Sequence, residues 1–418
     1  MTGIEYFSTK SEGIGGRLKQ RISDFKVREI TKEGKQCEIL VFGEDNEKKE
    51  LEKVWLEPPA EEEKKETLHL TLEKFNYDTN LALRLLCRFL RVSRKRIGFA
   101  GMKDKRAITS QKISVWKPDY NAVKGFRSRY LDLRDAEWRA ERIELGDLKG
   151  NAFEITVRDI GLSEKECEKR IRECFDEMKQ GIANYFGEQR FGGIREITHL
   201  VGREFLKGKT KEAVMLYLTS VSPQEEEEVT IARNNLLNSG DFSAASNEFP
   251  VKYRYERAII HHLCKYPNDF AGAFRKLPKN LCYMFSHAFQ SYLFNKVINK
   301  RIEEGIGLKA VEGDVLLDGI PTAPLYGFES VLAEGKAGEI EKKVLEEEGF
   351  SLSEFKVAGM PELSSKGARK KILLLPENLE FRGISSDEFN EGKLKAMVSF
   401  SLDKGNYATT VLREIMKN

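Results

Sequence analysis

The chain has few of the groups that mark a secreted, membrane-bound or metal-dependent protein. Its 418 residues include 6 cysteines, no two of them in a C-x-x-C pair. Cys37, Cys87, Cys167, Cys174, Cys264 and Cys282 are scattered, several among apolar residues at helical spacing. That reads as reduced core thiols and excludes a zinc site or a disulfide framework. No apolar run approaches the roughly 20 residues needed to cross a bilayer. The start, MTGIEYFSTKSEG, lacks the basic and apolar stretches of a signal peptide, so a soluble, cytoplasmic protein without membrane contact is expected. Also missing are G-x-x-x-x-G-K-[ST], H-E-x-x-H, and H-x-E with P-C-x-x-C, which removes P-loop, zincin and zinc-deaminase chemistry. His261-His262 and His287 have no carboxylate or cysteine at ligand spacing, and Gly13, Gly15 and Gly16 read as a flexible loop. No metal and no organic cofactor is called for.

Net charge is also lacking: 70 Lys+Arg against 67 Asp+Glu leaves +3. Its distribution is uneven. Gly43–Glu66 holds ten acidic and five basic residues, a solvated excursion of −5. Between Arg84 and Arg106, nine cations (Arg84, Arg88, Arg91, Arg94, Lys95, Arg96, Lys103, Lys105, Arg106) face Asp104 alone, a block of +8. Such a block is an electrostatic footprint for a polyanion, although singly each arginine reads as the solvated face of an amphipathic helix.

What is present alternates strand and helix. Phe25 and Val27 share one face of a strand in Ser23–Ile30, with Cys37–Phe42 as its expected partner, and Leu68, Leu70 and Leu72 alternate as another strand. Leu81, Leu85, Leu86 and Phe89 then recur at helical spacing behind Asp78 or Thr79 as N-cap. Strands follow at Lys112–Trp116 and through Phe153, Ile155 and Val157. Ser163 and Glu166 open a helix that Gly181 closes. The middle is longer-helixed, Phe285–Ile298 above all, with solvated acidic runs at Glu225–Glu228 and Glu346–Glu348. Val398, Phe400 and Leu402 form a strand that can return to the first sheet, before a helix at Ala408–Met416. This pattern argues for α/β or α+β.

Asp104 is the residue with chemical potential. Lys103, Lys105 and Arg106 favour its ionised form, and an ionised carboxylate can attack an anomeric carbon or an electrophilic ring carbon. Charge pattern alone favours a surface ion pair on a loop.

The stretch Gly98–Gln111, GFAGMKDKRAITSQ, resembles the signature of the TruD family of tRNA pseudouridine synthases, in its archaeal type: G-x-K-D-x-x-A-x-T-x-Q is matched at Gly101, Lys103, Asp104, Ala107, Thr109 and Gln111. The similarity continues, in order, at SDFKVRE (23–29), KGNAFEITVR (149–158), NYFGEQRFG (184–192), SYLFN (291–295) and GNYATTVLRE (405–414). The resemblance implies an α+β fold: a catalytic domain on a mixed, largely antiparallel sheet from residues 1–183 and 375–418, an inserted α/β TRUD domain at 184–374, and a V shape with a basic cleft. It implies isomerisation of uridine, at position 13 of tRNA, to pseudouridine, with Asp104 as nucleophile. Attack at C1′, attack at C6 and elimination stay open.

By the same resemblance Phe153 packs on the target base, Asn151 bonds a uracil edge or a sugar hydroxyl, and Phe25 and Tyr407 contact substrate. Lys103 belongs to this substrate set, and Lys19 and Arg413 orient Asp104 or bind phosphate. Extruding a stacked uridine calls for a grip on RNA phosphates, for which Arg88, Arg91, Arg94, Lys95, Arg96, Arg127, Arg129 and Arg190 are candidates. The expected partner is tRNA and the expected state a monomer. A non-catalytic RNA-binding protein and an RNA base glycosylase are the competing functions.

Overall fold

The computed structural model describes residues 2–44, 47–53, 55–60 and 65–418. In chain order these form β1 (Phe25–Thr31), β2 (Thr67–Phe75), α1 (Thr79–Phe89), β3 (Ile97–Phe99), β4 (Ile108–Trp116), α2 (Tyr120–Lys124), β5 (Leu131–Arg139), β6 (Leu148–Ile160) and α3 (Glu164–Met178). Next come β7 (Ile182–Ala183), α4 (Thr198–Leu206), α5 (Thr210–Thr219), α6 (Glu227–Ser239), α7 (Phe242–Glu248), α8 (Arg254–Lys265), α9 (Phe270–Phe274), α10 (Lys279–Glu303), β8 (Leu316–Leu317), β9 (Ile320–Leu325) and α11 (Gly335–Glu347). The chain ends in β10 (Ala368–Lys371), β11 (Leu373–Leu374), β12 (Glu377–Ser386), β13 (Leu394–Asp403) and α12 (Ala408–Met416).

Two compact units result, one from Thr9–Gly181 with Leu375–Asn418, the other from Met1–Ser8 with Ile182–Leu374. Where the chain passes into and out of the middle unit, β7 and β11 pair antiparallel, Leu373 opposite Ala183. Met1–Ser8 goes with the middle segment and not with the terminal one expected to hold residues 1–183. The reason is a pair of amides on α10: Asn295 Nδ2 donates to the Thr2 carbonyl (3.1 Å) and Asn299 Nδ2 to the Gly3 carbonyl (3.0 Å).

The terminal unit is α+β, built on one sheet of order β12-β13-β6-β1-β4-β2-β5, with β3 added alongside β4. Every pairing is antiparallel except β1–β4, so the sheet is mixed and largely antiparallel. The C-terminal strand does return, β13 pairing with β6 so that Phe400 stands opposite Phe153. Asp78 caps α1 by accepting from the Leu81 N–H. The buried stripe of that helix is Ala82, Leu83 and Leu86, packed on Leu68, Leu70 and Leu72 of β2. The expected stripe was one step round, and Leu81 and Phe89 stay exposed. On α3, Ser163 accepts from the Glu166 N–H, but the Glu166 carboxylate turns to Arg170 and closes no reciprocal box.

Other expectations need correcting. Cys37–Phe42 is not a strand: Cys37 donates to the Glu29 carbonyl at the end of β1 (2.8 Å), but from Lys26 to Arg28 that edge is taken by β4. The N–H groups of Leu40, Val41 and Phe42 instead donate to the buried Glu73 carboxylate on β2, at 2.7–3.3 Å. The excursion 43–66 falls partly outside the described residues. Its described Lys48 and Lys53 are tied to Asp132 (3.9 and 2.6 Å) rather than fully solvated. Gly13–Gly16 is packed: Ile14 and Gly15 donate to the carbonyls of Ile415 and Met416, and a Cβ on Gly13 would lie 2.3 Å from the latter. Within 225–228, Glu225 is buried against Arg233 (2.9 Å) and Arg195 (3.5 Å). Of the cysteines, Cys264 is exposed and Cys87 half-buried; the others are core residues.

Candidate active site

The signature is divided between a loop and a strand. Ala107 ends the loop, and Thr109 and Gln111 lie on β4 facing the same side of the sheet as Val27 of β1 and Phe153 of β6, all in register with Val27 or its diagonal neighbours. Asp104 sits on the loop leading into β4, and that loop is held from several directions. Gln111 Nε2 donates to the Gly101 carbonyl (3.0 Å). Thr79, the first residue of α1, both accepts from the Lys103 N–H (3.2 Å) and donates to its carbonyl (3.3 Å). Lys74 Nζ, reaching from β2, donates to the carbonyls of Asp104 (2.6 Å) and Lys103 (3.4 Å). Burial pulls the Lys74 ammonium down to about 8 from 10.5, a shift partly opposed by the attraction of Asp104.

The tethers end at the backbone and leave the Asp104 side chain 43% exposed. Lys19 Nζ donates to its Oδ1 (2.9 Å), while no described residue bonds Oδ2. Lys19 has a left-handed backbone (φ 57°), and its ammonium stands 4.1 Å from the centre of the Phe25 ring. The turn bearing it is fixed by Asp24, whose carboxylate accepts from the Arg21 N–H (2.6 Å) and from Arg158 Nε (2.8 Å). Arg158 in turn reaches the buried Asp387 (2.9 Å), tying the turn to β6 and to the segment after β12.

Contacts continue from Asp104 through Lys19 and Phe25 to Phe153, which meets Phe25 edge-on (6.3 Å, 72°) and stacks on Phe400 (5.4 Å, 30°). One face of Phe153 is therefore covered. Phe25 and Phe153 are 2% and 6% exposed, against 46% for Tyr407 at the cap of α12, so Tyr407 is the one open ring of the three expected at the substrate. The two phenylalanines stand as the buried wall of the site. Asn151 lies opposite Glu29 and Leu402, and its buried Oδ1 has no hydrogen-bond partner among the described residues. Thr109 Oγ1 and Gln111 Oε1 share that condition. Unmatched buried acceptors mark a place where water or a ligand's donors bind.

Lys103 departs from expectation. Its Nζ turns inward to the buried Glu29 carboxylate (2.6 Å), leaving the side chain only 3% exposed. Glu29 also accepts from the Lys112 N–H (3.0 Å), so this pair fastens the loop to β1 and β4. The cation beside Asp104 is Lys19, 85 positions away in sequence, rather than a neighbour in the motif. Arg413 lies on α12 beside Glu414 (3.6 Å). Sequence reasoning passed over Lys74, Thr79 and Glu29 as site residues; Lys74 adjoins Glu73 in β2 and Glu29 shares β1 with Lys26 and Arg28, so no lone charge marked either.

The basic block divides in space. Ile97 pairs with Val115, so Arg94–Arg96 adjoin the far end of β4, while Lys103–Arg106 precede its start at Ile108. Seven strand residues separate the ends by about 23 Å. Arg88, Arg91, Arg94, Lys95, Arg96, Arg127 and Arg129 make no ion pair among the described residues. Several are aimed by backbone carbonyls instead: Arg94 by Ile97 (2.7 Å), Arg96 by Trp116 (2.8 Å), and Arg127 by Lys124 (2.9 Å) and Phe126 (2.8 Å). Arg190 belongs to the other unit, where its Nε donates to Ser291 Oγ (3.1 Å). No cluster of His, Cys, Asp and Glu able to hold a metal occurs among the described residues, and no described helix is long and apolar enough to cross a membrane.

Comparison with known proteins agrees over the whole length. The family profile of tRNA pseudouridine synthase D (TruD) matches residues 1–319 and 317–415. A "probable tRNA pseudouridine synthase D" of Methanococcoides burtonii is 40% identical over 99% of this chain and 96% of its own. Its namesake in Methanopyrus kandleri is 41% identical over 82% and 84%. The crystal structure from Methanosarcina mazei that carries the TruD name is 38% identical, covers 100% of this chain and 97% of its own, and superimposes with a TM-score of 0.79. With family profile, full-length relatives and fold in agreement, the chain belongs to the tRNA pseudouridine synthase D family of RNA-modifying isomerases.

Proposed function

We propose that this protein converts uridine-13 of tRNA to pseudouridine with Asp104 as the nucleophile and without a cofactor. The observation that carries the reading is the Asp104 carboxylate itself: its loop is bound from β2 at Asp104, from α1 at Lys103 and from β4 at Gly101, one oxygen is held by Lys19, and the other is unengaged among the described residues. Fixed placement of a reacting oxygen lowers the entropy lost on reaching the transition state. The reaction breaks the N1–C1′ bond, turns the base, and forms C5–C1′; N1 gains a proton and C5 loses one. No electrons are exchanged, so an ionised carboxylate suffices. Attack at C1′, attack at C6 and elimination share this balance. Lys19 holds the carboxylate toward the substrate, Tyr407 offers a ring face to the base, and the orphaned Asn151 Oδ1 accepts from a uracil N–H or a ribose hydroxyl. The unpaired arginines and Lys95 bind RNA phosphates without reading sequence.

The test is tRNA tritiated at uracil C5, incubated with wild type and with Asp104→Asn. Wild type releases tritium and keeps the base on the RNA, whereas a glycosylase frees the base and a mere binding protein does neither. Release by Asp104→Asn at the wild-type rate refutes the nucleophile assignment.

A further inference from the structure

The far end of β4 carries a groove that the chemistry at Asp104 does not use. It has a volume of about 510 Å³, and its walls include Phe89, Arg91, Val92, Arg96, Lys117 and Asp119. That volume falls in the range of small-ligand sites. Two rulers place it away from Asp104: α1, whose first residue touches Lys103, runs about 15 Å to Phe89, and β4 runs about 23 Å.

Three features distinguish it. Phe89 is 42% exposed although its ring is held edge-on by Phe126 (5.1 Å, 89°), a fixed aromatic surface open to solvent. Arg91 and Arg96 have no ion pair among the described residues. Arg96 is oriented by the Trp116 and Lys117 carbonyls. Lys117 is paired with Glu66 (2.8 Å), and the carboxylate in the wall, Asp119, is turned to the N–H groups of Asn121 (3.0 Å) and Ala122 (3.1 Å), so two arginines against one carboxylate leave the groove with a net positive charge. Finally, Arg91 follows the C-cap of α1 with φ +52°, a position that helices ordinarily fill with glycine. A charged side chain is kept there against the backbone's preference.

We propose that this groove is a second RNA site, which takes one unpaired nucleotide of the substrate RNA, its base on Phe89 and its phosphate between Arg91 and Arg96. Aromatic surface with flanking cations suits an unpaired nucleotide and not a duplex, whose bases offer no face to stack on. A nucleotide on the order of 20 Å from the target reports the folded shape of the RNA. The inference rests on the RNA-modifying reading above.

The test measures binding of an unmodified tRNA transcript by fluorescence anisotropy between about 50 and 200 mM salt, with tritium release at saturating and limiting RNA. Phe89→Ala is expected to weaken binding about tenfold with the salt slope unchanged, and Phe89→Trp to restore it. Arg91→Gly suits the left-handed backbone, so the fold is kept, and it lowers the slope of log K against log salt by about 1. Both changes fall on Kd and KM while kcat is retained. Wild-type binding by Phe89→Ala, an unchanged slope in Arg91→Gly, or a loss confined to kcat overturns the proposal. Weakened binding by both variants, with no tritium release even from wild type, upholds the groove and overturns the synthase reading instead.

Discussion

Replacing Lys74 with methionine sets two opposing effects against each other, and pH separates them. The unfolded lysine titrates near 10.5 and the folded one near 8. Below pH 8 both states are protonated, and burying the charge costs about 3 kcal/mol, at about 1.36 kcal/mol per pH unit. As pH rises from about 8 to about 10.5 the folded state sheds its proton first, so this cost disappears and wild-type stability climbs. Methionine removes the cost at every pH. It also strips the Asp104 and Lys103 carbonyls of their donor, and buried acceptors left alone cost about 1–3 kcal/mol each, here about 2–4 together because the second bond is long (3.4 Å). At pH 7 the two effects nearly cancel, leaving Lys74→Met within about 1 kcal/mol of wild type, whereas near pH 10.5 it is weaker by about 2–4. Urea denaturation at both pH values measures the gap. Single-turnover tritium release at pH 7 should fall at least about tenfold, because the Asp104 backbone has lost a tether. An equal stability gap at the two pH values, or full activity in the variant, would show that Lys74 does not act as argued.

Asp104→Asn should abolish tritium release with little change in thermal midpoint, since the pair it surrenders with Lys19 sits on a half-exposed carboxylate and such pairs contribute at most about 1 kcal/mol; a large drop in midpoint would mean the residue is structural. Gly150→Ala puts a Cβ 2.1 Å from the Leu402 carbonyl, inside the β6–β13 pairing, so a loss of more than about 2 kcal/mol is expected by urea denaturation. Gly101→Ala is the contrast: although it lies in the signature, the nearest atom is the tip of Lys103 at 3.7 Å, and stability should not move. Arg158→Met leaves Asp24 and Asp387 buried without their cation and should cost about 3–5 kcal/mol; an unchanged denaturation midpoint would remove the network from the account.

The fold was legible wherever period and burial coincide. Leu68, Leu70 and Leu72 alternate because one face of β2 packs under α1, and the return of Val398, Phe400 and Leu402 to the first sheet follows from the same rule. What misled was polar burial. Cys37–Phe42 has strand composition, but its donors go to Glu73, a carboxylate 31 or more positions away that no local pattern announces. Glu225 in an acidic run reads as solvated until two arginines, Arg195 from before α4 and Arg233 of α6, close on it. At the site, motif order led to Asp104, Asn151 and Phe153. Side-chain direction was not available from spacing, which is why Lys103 was expected at the substrate and Lys19 at either Asp104 or a phosphate.

The signature is therefore in large part a device for holding one carboxylate still. Of its six matched positions, Lys103 and Gln111 bind the loop to β1 and to β4, and Ala107 takes the Asn76 N–H on its carbonyl (3.0 Å) as the loop joins β4. Only Asp104 reaches solvent with an unengaged oxygen. This explains why charge density in sequence was a poor guide to charge around the Asp104 carboxylate. Of the +8 block, Lys103 points inward and Arg91–Arg96 stand some 20 Å away, about the length of β4, while Lys105 and Arg106 stay exposed on the Asp104 loop, Arg106 donating to the Gln20 carbonyl (3.3 Å). The positive charge that meets Asp104 comes from Lys19 and, through the backbone, from Lys74. Charge-reversing Arg94, Lys95 and Arg96 should thus weaken tRNA binding and steepen its loss with salt less than in wild type, yet leave the saturating rate intact; a fall in that rate equal to the fall in affinity would place those residues at the chemistry after all.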